Sequence, residues 1–267
     1  MTTHTTPNQT DTTSSNLYFE ARGSGPPVLL IAGTPGDGGQ FDALADILAD
    51  HHLVITYDRI GTSRSATPPG WVATTPAAQA DDAARLLRSV STEPATVYGT
   101  SNGAAIALEL ALRHPSLVSR AVLHEMPLLT VLEDPEPVAA MLGDLIGTAM
   151  TAGGPRSALD AFLRFAFGDI VDRWSGEFRN RLLDNAEMVF GVELPAFQAY
   201  RPDERALASA HPPLEIAVGE AQLAPFFHEA AQWLATRTNS PLVRTPAAHG
   251  PHFSCPGRLA AMLFPTF

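Results

Sequence analysis

Uninterrupted apolar runs of strand length alternate along this chain with longer segments whose apolar residues recur at helical spacing. Val28-Leu29-Leu30-Ile31-Ala32 is one such run. A strand buried on both faces of a sheet reads this way because neither face meets water. Leu17–Ala21, Leu53–Tyr57, Ala95–Tyr98, Ala121–His124, Leu214–Val218 and Pro241–Arg244 predict further strands. Between them, Phe41–Leu48, Ala77–Val90, Ala104–Arg113, Phe226–Ala235 and Leu259–Phe264 predict helices. In Ala77–Val90, residues Ala80, Ala83, Leu86 and Leu87 form one face. Pro115 ends the helix before it. Strand and helix in alternation imply crossover connections, hence an α/β fold: a mostly parallel sheet with helices on both faces.

The alternation stops after Glu125. Residues 127–210 hold no strand-like run and read as helical throughout, with Phe162, Phe165, Phe167, Trp174, Phe178, Phe190, Phe197 and Tyr200 among them. This segment is expected to be a helical cap inserted after the strand ending near His124. The core is then 16–126 with 211–267, and the cap 127–210. Some cap aromatics are expected to line a substrate pocket, with Trp174, Phe178 and Phe190 as candidates beside Met126 at the foot of the cap. Residues 1–15 are mostly Thr, Ser, Asn, Gln and Asp. They lack the basic start and apolar run of a secretory signal and are expected to form a disordered tail.

Gly99-Thr100-Ser101-Asn102-Gly103 lies between a predicted strand and a predicted helix. G-x-S-x-G in that setting reads as a nucleophile elbow, a turn sharp enough to push the serine into a pocket. The pattern alone is weak, since composition supplies it to roughly one chain in ten of this length. Gly61-Thr62-Ser63 lacks the second glycine and a following helix. A serine nucleophile needs a base, an acid that orients the base, and donors for the oxyanion. His249 is the expected base, in a small-residue loop after the last strand; His252 is the alternative. The expected oxyanion donors are the backbone of Asn102 and the Gly33-Thr34 turn. The usual place for the acid is the loop after Val218, Gly219-Glu220-Ala221-Gln222, where Gln222 stands in place of an aspartate. Glu125, at the end of the neighbouring strand, is close enough to reach the same histidine, since adjacent strands lie about 5 Å apart. Glu220 is the other candidate.

Composition narrows the partners. The 267 residues are 45% hydrophobic, and the formal net charge is −11. That length and apolar share suit one large domain with a substantial core. The negative charge disfavours nucleic acid and anionic membrane surfaces. No stretch approaches the ~18 apolar residues of a membrane span. Cys255 is the only cysteine, so neither an intrachain disulfide nor a thiolate metal site is expected, and a reducing cytoplasm is the expected location. The expected partner is a hydrophobic small molecule, with neither metal nor organic cofactor. The oligomeric state stays open, a homodimer among the options.

In motif order the chain resembles the α/β-hydrolase superfamily from about Leu17 to Phe267. The matching pieces are Ala32-Gly33-Thr34, Asp58–Ser63, the elbow, His124-Glu125 and Ala248-His249. A narrower likeness is to the zearalenone lactone hydrolases, which have a Cys-His-Glu-Leu-Pro segment and a His-Phe-Pro-Tyr histidine loop. Here His124-Glu125-Met126-Pro127 and His249-Gly250-Pro251-His252-Phe253 stand in those places, and Val131-Leu132-Glu133-Asp134 echoes the start of that family's cap. The resemblance implies the acid role for Glu125 and a hydrophobic ester or lactone as substrate. The same fold could serve C–C bond hydrolysis, peracid formation or a cyclisation step, or bind a ligand without turnover.

Overall fold

The computed structural model describes residues 17–221 and 224–265. The tail expected at 1–15, and Gln222, lie outside the described residues. Among the described residues the sheet has seven strands: β1 (Phe19–Arg22), β2 (Pro27–Ile31), β3 (Leu53–Tyr57), β4 (Ala95–Thr100), β5 (Val118–His124), β6 (Leu214–Gly219) and β7 (Leu242–Thr245). Their order is β1-β3-β2-β4-β5-β6-β7. Only β1 runs antiparallel, against β3; the other pairings are parallel. This is the α/β-hydrolase fold expected from the motif order, and every strand expected from the apolar runs is present.

β2 shows why its sequence is apolar without interruption. Leu29 and Ile31 join one core cluster, with Ile55, Val97, Leu123 and Ile216. Val28, Leu30 and Ala32 join a second, with Val54, Tyr98, Val122 and Ala217. Successive side chains point to opposite faces, and both faces are covered. The first face carries α2 (Pro76–Val90) and α3 (Asn102–Arg113); the second carries α1 (Asp42–Leu48).

Between β5 and β6 the described chain is helical. The longest element, α4 (Glu136–Phe167), is interrupted at Gly153 and Gly154, whose backbone angles are not helical, and Pro155 follows. It is therefore two helices joined at a kink. α5 (Gly176–Leu183), α6 (Ala186–Met188), a π-turn at Val189–Glu193, α7 (Leu194–Gln198) and α8 (Glu204–Ala208) complete the segment. Leu159, Leu163, Val171, Leu182, Leu183, Ala186 and Val189 form a separate apolar cluster within it. α9 (Pro225–Thr238), α10 (Pro251–Ser254) and α11 (Pro256–Leu263) follow β6 and β7, with α11 on the face that α1 covers. Among the described residues no helix is long and apolar enough to cross a membrane.

Candidate active site

The turn between β4 and α3 sets the position of Ser101. Its φ of 53° and ψ of −129° lie in a region side chains rarely adopt. The glycines on either side are sterically required. A Cβ on Gly99 would lie 2.4 Å from the carbonyl oxygen of Gly103, and one on Gly103 would lie 2.2 Å from that of Ile31. The Ser101 N–H donates to the His124 carbonyl at 2.8 Å, which fixes the turn against β5. β2 runs out beside it: a Cβ on Gly33 would lie 2.8 Å from the Ser101 Cβ. The Asn102 side chain donates to the Thr34 hydroxyl at 2.8 Å and ties the start of α3 to the turn after β2.

Glu125 leaves β5 with a positive φ of 45°, unusual for a residue with a side chain. Its N–H donates to the Ala217 carbonyl at 2.9 Å. Both carboxylate oxygens are used: Oε1 accepts the Gly219 N–H at 2.9 Å, and Oε2 lies 2.7 Å from His249 Nδ1. Burial pushes this carboxyl up, but the bond from His249, the nearby histidines and the Gly219 N–H outweigh it and leave the group below its ordinary value. An ionised carboxylate can only accept, so Nδ1 carries the proton and Nε2 is left as the basic nitrogen. His249 is buried, with the Phe227 ring stacked at 4.9 Å and Phe167 at 5.8 Å.

The structure therefore brings together Ser101, His249 and Glu125, with Gly33, Thr34 and Asn102 beside the serine. The alternatives lie elsewhere. Glu220 is exposed and pairs with exposed Arg258 at 3.2 Å. His252 is fully buried among Phe41, Phe167 and Phe253, and neither ring nitrogen is hydrogen-bonded to any of the described residues.

Ser101 and His249 open onto a narrow cavity of about 50 Å³. The remaining wall is almost entirely apolar, with Phe162 and Phe165 from α4, Phe197 from α7, and Phe226 and Phe227 from α9. The four pocket candidates named from the sequence do not line it. Trp174 and Phe178 pack against Phe253, with ring centroids 5.0 and 6.4 Å from it, and border a separate cleft. Phe190 packs on the apolar cluster of the helical segment, and Met126 is buried in the core directly after Glu125. Sequence reasoning missed Phe226 and Phe227, because they open α9 in the core rather than lying in the helical segment. Their signal is an adjacent aromatic pair soon after the end of β6. Among the described residues no group of three or more His, Cys, Asp or Glu is arranged to hold a metal ion.

Two buried histidines give the fold an acid sensitivity. Burial pushes His124 down to about 4 and His252 well below its ordinary value. Below pH ~6.5 the unfolded chain takes up these protons and the folded one does not, so stability falls as pH falls. His124 alone accounts for a loss on the order of 3 kcal/mol between pH ~6.5 and about 4. Urea midpoints measured across that range are expected to drop steadily and to drop less in His124→Gln. Equal slopes in the two proteins would remove His124 as the cause.

A family model described as alpha/beta hydrolase fold matches residues 26–194. An uncharacterized hydrolase, YraK, of Bacillus subtilis is 41% identical over 122 residues, 46% of this chain and 45% of that protein. A zearalenone hydrolase of Bionectria ochroleuca is 32% identical over 147 residues, 51% of this chain and 55% of that protein. The matched part thus spans about half the length of these curated relatives. A crystal structure of the enol-lactonase from Burkholderia xenovorans LB400 superposes with a TM-score of 0.75 at 19% identity, covering 94% of this chain and 96% of that one.

Proposed function

Because the chain belongs to the α/β-hydrolase fold family, we propose that it is a serine hydrolase cleaving a neutral, largely apolar carboxylic ester or lactone through an acyl-enzyme. The observation that carries this reading is the Glu125–His249 pair, 2.7 Å apart, beside Ser101 at the polar end of an otherwise apolar cavity. A buried carboxylate on Nδ1 fixes the imidazole as a base at Nε2 and stabilises it once protonated.

In this scheme His249 Nε2 takes the Ser101 proton as Oγ attacks the substrate carbonyl. The oxyanion is held by the backbone N–H groups of Asn102 and the Gly33-Thr34 turn, each worth about 3–4 kcal/mol to the barrier by analogy with other oxyanion holes. The imidazolium then protonates the leaving oxygen. Water, deprotonated by the same nitrogen, releases the acid and restores Ser101. The apolar wall supports a substrate with one polar centre, since a charged group would lose its hydration there without a partner. Residues 127–210 act as the cap over this site, because α4 and α7 supply much of its wall. The Bionectria ochroleuca relative is named a zearalenone hydrolase, and the proposal extends hydrolase chemistry to this chain.

The test uses a fluorophosphonate probe and a p-nitrophenyl ester. The protein is expected to take the label and to turn over the ester, and Ser101→Ala is expected to lose both. Labelling or turnover that survives Ser101→Ala would end the proposal.

A further inference from the structure

Arg59 is among the largest of the fully buried side chains of the described residues, 1% exposed, and the scheme above does not use it. It sits in the turn after β3 and touches three parts of the molecule. Nη2 donates to the Gly33 carbonyl at 3.1 Å and also pairs with Glu193. Nη1 donates to Gln79 Oε1 at 3.0 Å. The guanidinium carbon lies 5.5 Å from the centre of the Phe197 ring, which lines the cavity. Room for it is built into the chain: a Cβ on Gly36, whose φ is +88°, would lie 2.9 Å from Arg59 Nε.

We propose that Arg59 is a positioning residue that aims and polarises the Thr34 N–H of the oxyanion hole, and that Glu193 makes this depend on the seating of the helical segment over the cavity. The inference rests on the serine-hydrolase reading. In a planar trans peptide the C=O and N–H point in opposite directions. A donor on the Gly33 oxygen therefore fixes the direction of the Thr34 N–H. That oxygen takes two, the Gly36 N–H at 2.7 Å and Arg59. The second carries a full charge, which draws electron density through the amide and makes its N–H a stronger donor.

Glu193 brings the far side of the site into the same group. It is buried at the end of the π-turn, directly before α7, whose Leu194 and Phe197 form cavity wall. A guanidinium is a permanent cation, so separating the pair would leave a buried charge short of its counter-ion. Lifting α7 off the cavity thus disturbs the group that holds the oxyanion peptide. Substrate bulk against Phe197 is felt at the hole through a single side chain.

The test compares the unaltered protein, Arg59→Lys, Glu193→Gln and the double variant on a p-nitrophenyl ester. Rates are expressed per active site titrated with the fluorophosphonate, and thermal midpoints are measured in parallel. Arg59→Lys keeps the charge but cannot serve the same acceptors at once. It is expected to lower kcat per site about 10–100-fold with KM within about three-fold, somewhat less than the loss of a hole donor itself. Glu193→Gln is expected to lower kcat in the same way but less, and the double variant to be no slower than Arg59→Lys. An unchanged kcat per site in Arg59→Lys overturns the proposal, whatever its thermal midpoint, as does a rise in KM alone. If Arg59→Lys does not fold, kcat per site in Glu193→Gln decides: a fall supports the coupling and no change overturns it. Failure of Ser101 to take the label in the unaltered protein would instead remove the hydrolase reading beneath it.

Discussion

Glu125→Gln is expected to lower kcat by about 10³–10⁴-fold in a protein that still folds, the size of effect seen when the acid of a serine triad is made an amide. The substitution keeps the shape and one of the two hydrogen bonds. A glutamine oxygen in place of Oε1 still accepts the Gly219 N–H, now at 2.9 Å. Its NH₂ then faces His249 Nδ1, where Oε2 lies at 2.7 Å. An amide nitrogen can only donate, so Nδ1 must give up its proton and the ring must carry it on Nε2. That nitrogen can no longer accept a proton from Ser101, and the imidazolium has lost its counter-charge. Thermal denaturation and kcat of the same preparation separate this from unfolding. Glu220→Gln is the control. Its exposed pair with Arg258 is worth little, and its kcat is expected to stay within about two-fold. If Glu220→Gln were the slow variant and Glu125→Gln the normal one, the acid would have been assigned to the wrong strand.

The sheet was legible because its central strands β2, β3, β4 and β6 are short, largely apolar and buried. Ser101, Glu125 and His249 were legible for a related reason: each follows directly or closely on the end of a strand, at β4, β5 and β7. In a parallel sheet those ends lie on one edge, so chain order alone brings the three side chains near one another. The cavity wall was not legible in this way. The helical segment carries aromatics throughout, and periodicity says only that they lie on helices. Which of them face Ser101 depends on the kink at Gly153-Gly154 and the π-turn at Val189–Glu193, neither of which has a hydrophobic pattern of its own. Phe162 and Phe165 reach the cavity, whereas Trp174 and Phe178 turn toward Phe253. Phe226 and Phe227 close the wall from the core side, where a search confined to the helical segment does not look. Arg59 was visible only as part of a turn motif, because its role depends on a glutamate more than a hundred residues away that folding brings to it.

Gly103→Ala is expected to be the most damaging single methyl that can be added near the site. The new Cβ would lie 2.2 Å from the Ile31 carbonyl oxygen and 2.7 Å from that of Ala32, distances that real Cβ contacts do not reach. Both partners are backbone of β2 or its exit, so no side chain can rotate away. Either α3 or β2 must shift, at a cost of about 3 kcal/mol or more, beyond the usual range for an overpacked core. For a chain of this size that corresponds to a fall in thermal midpoint of about 6–12 °C. The same shift separates Gly33 from Ser101, since β2 carries the one and the turn before α3 the other, so activity is expected to fall further than stability. Gly143→Ala gives the contrast. That glycine is exposed within α4, and a Cβ there meets nothing within 4 Å. Alanine restores helix propensity worth up to about 1 kcal/mol and is expected to leave the thermal midpoint unchanged or raise it. Equal midpoints for the two variants would show that the contact between α3 and β2 yields more readily than its geometry requires. The elbow would then be held by something other than the absence of a side chain at Gly103.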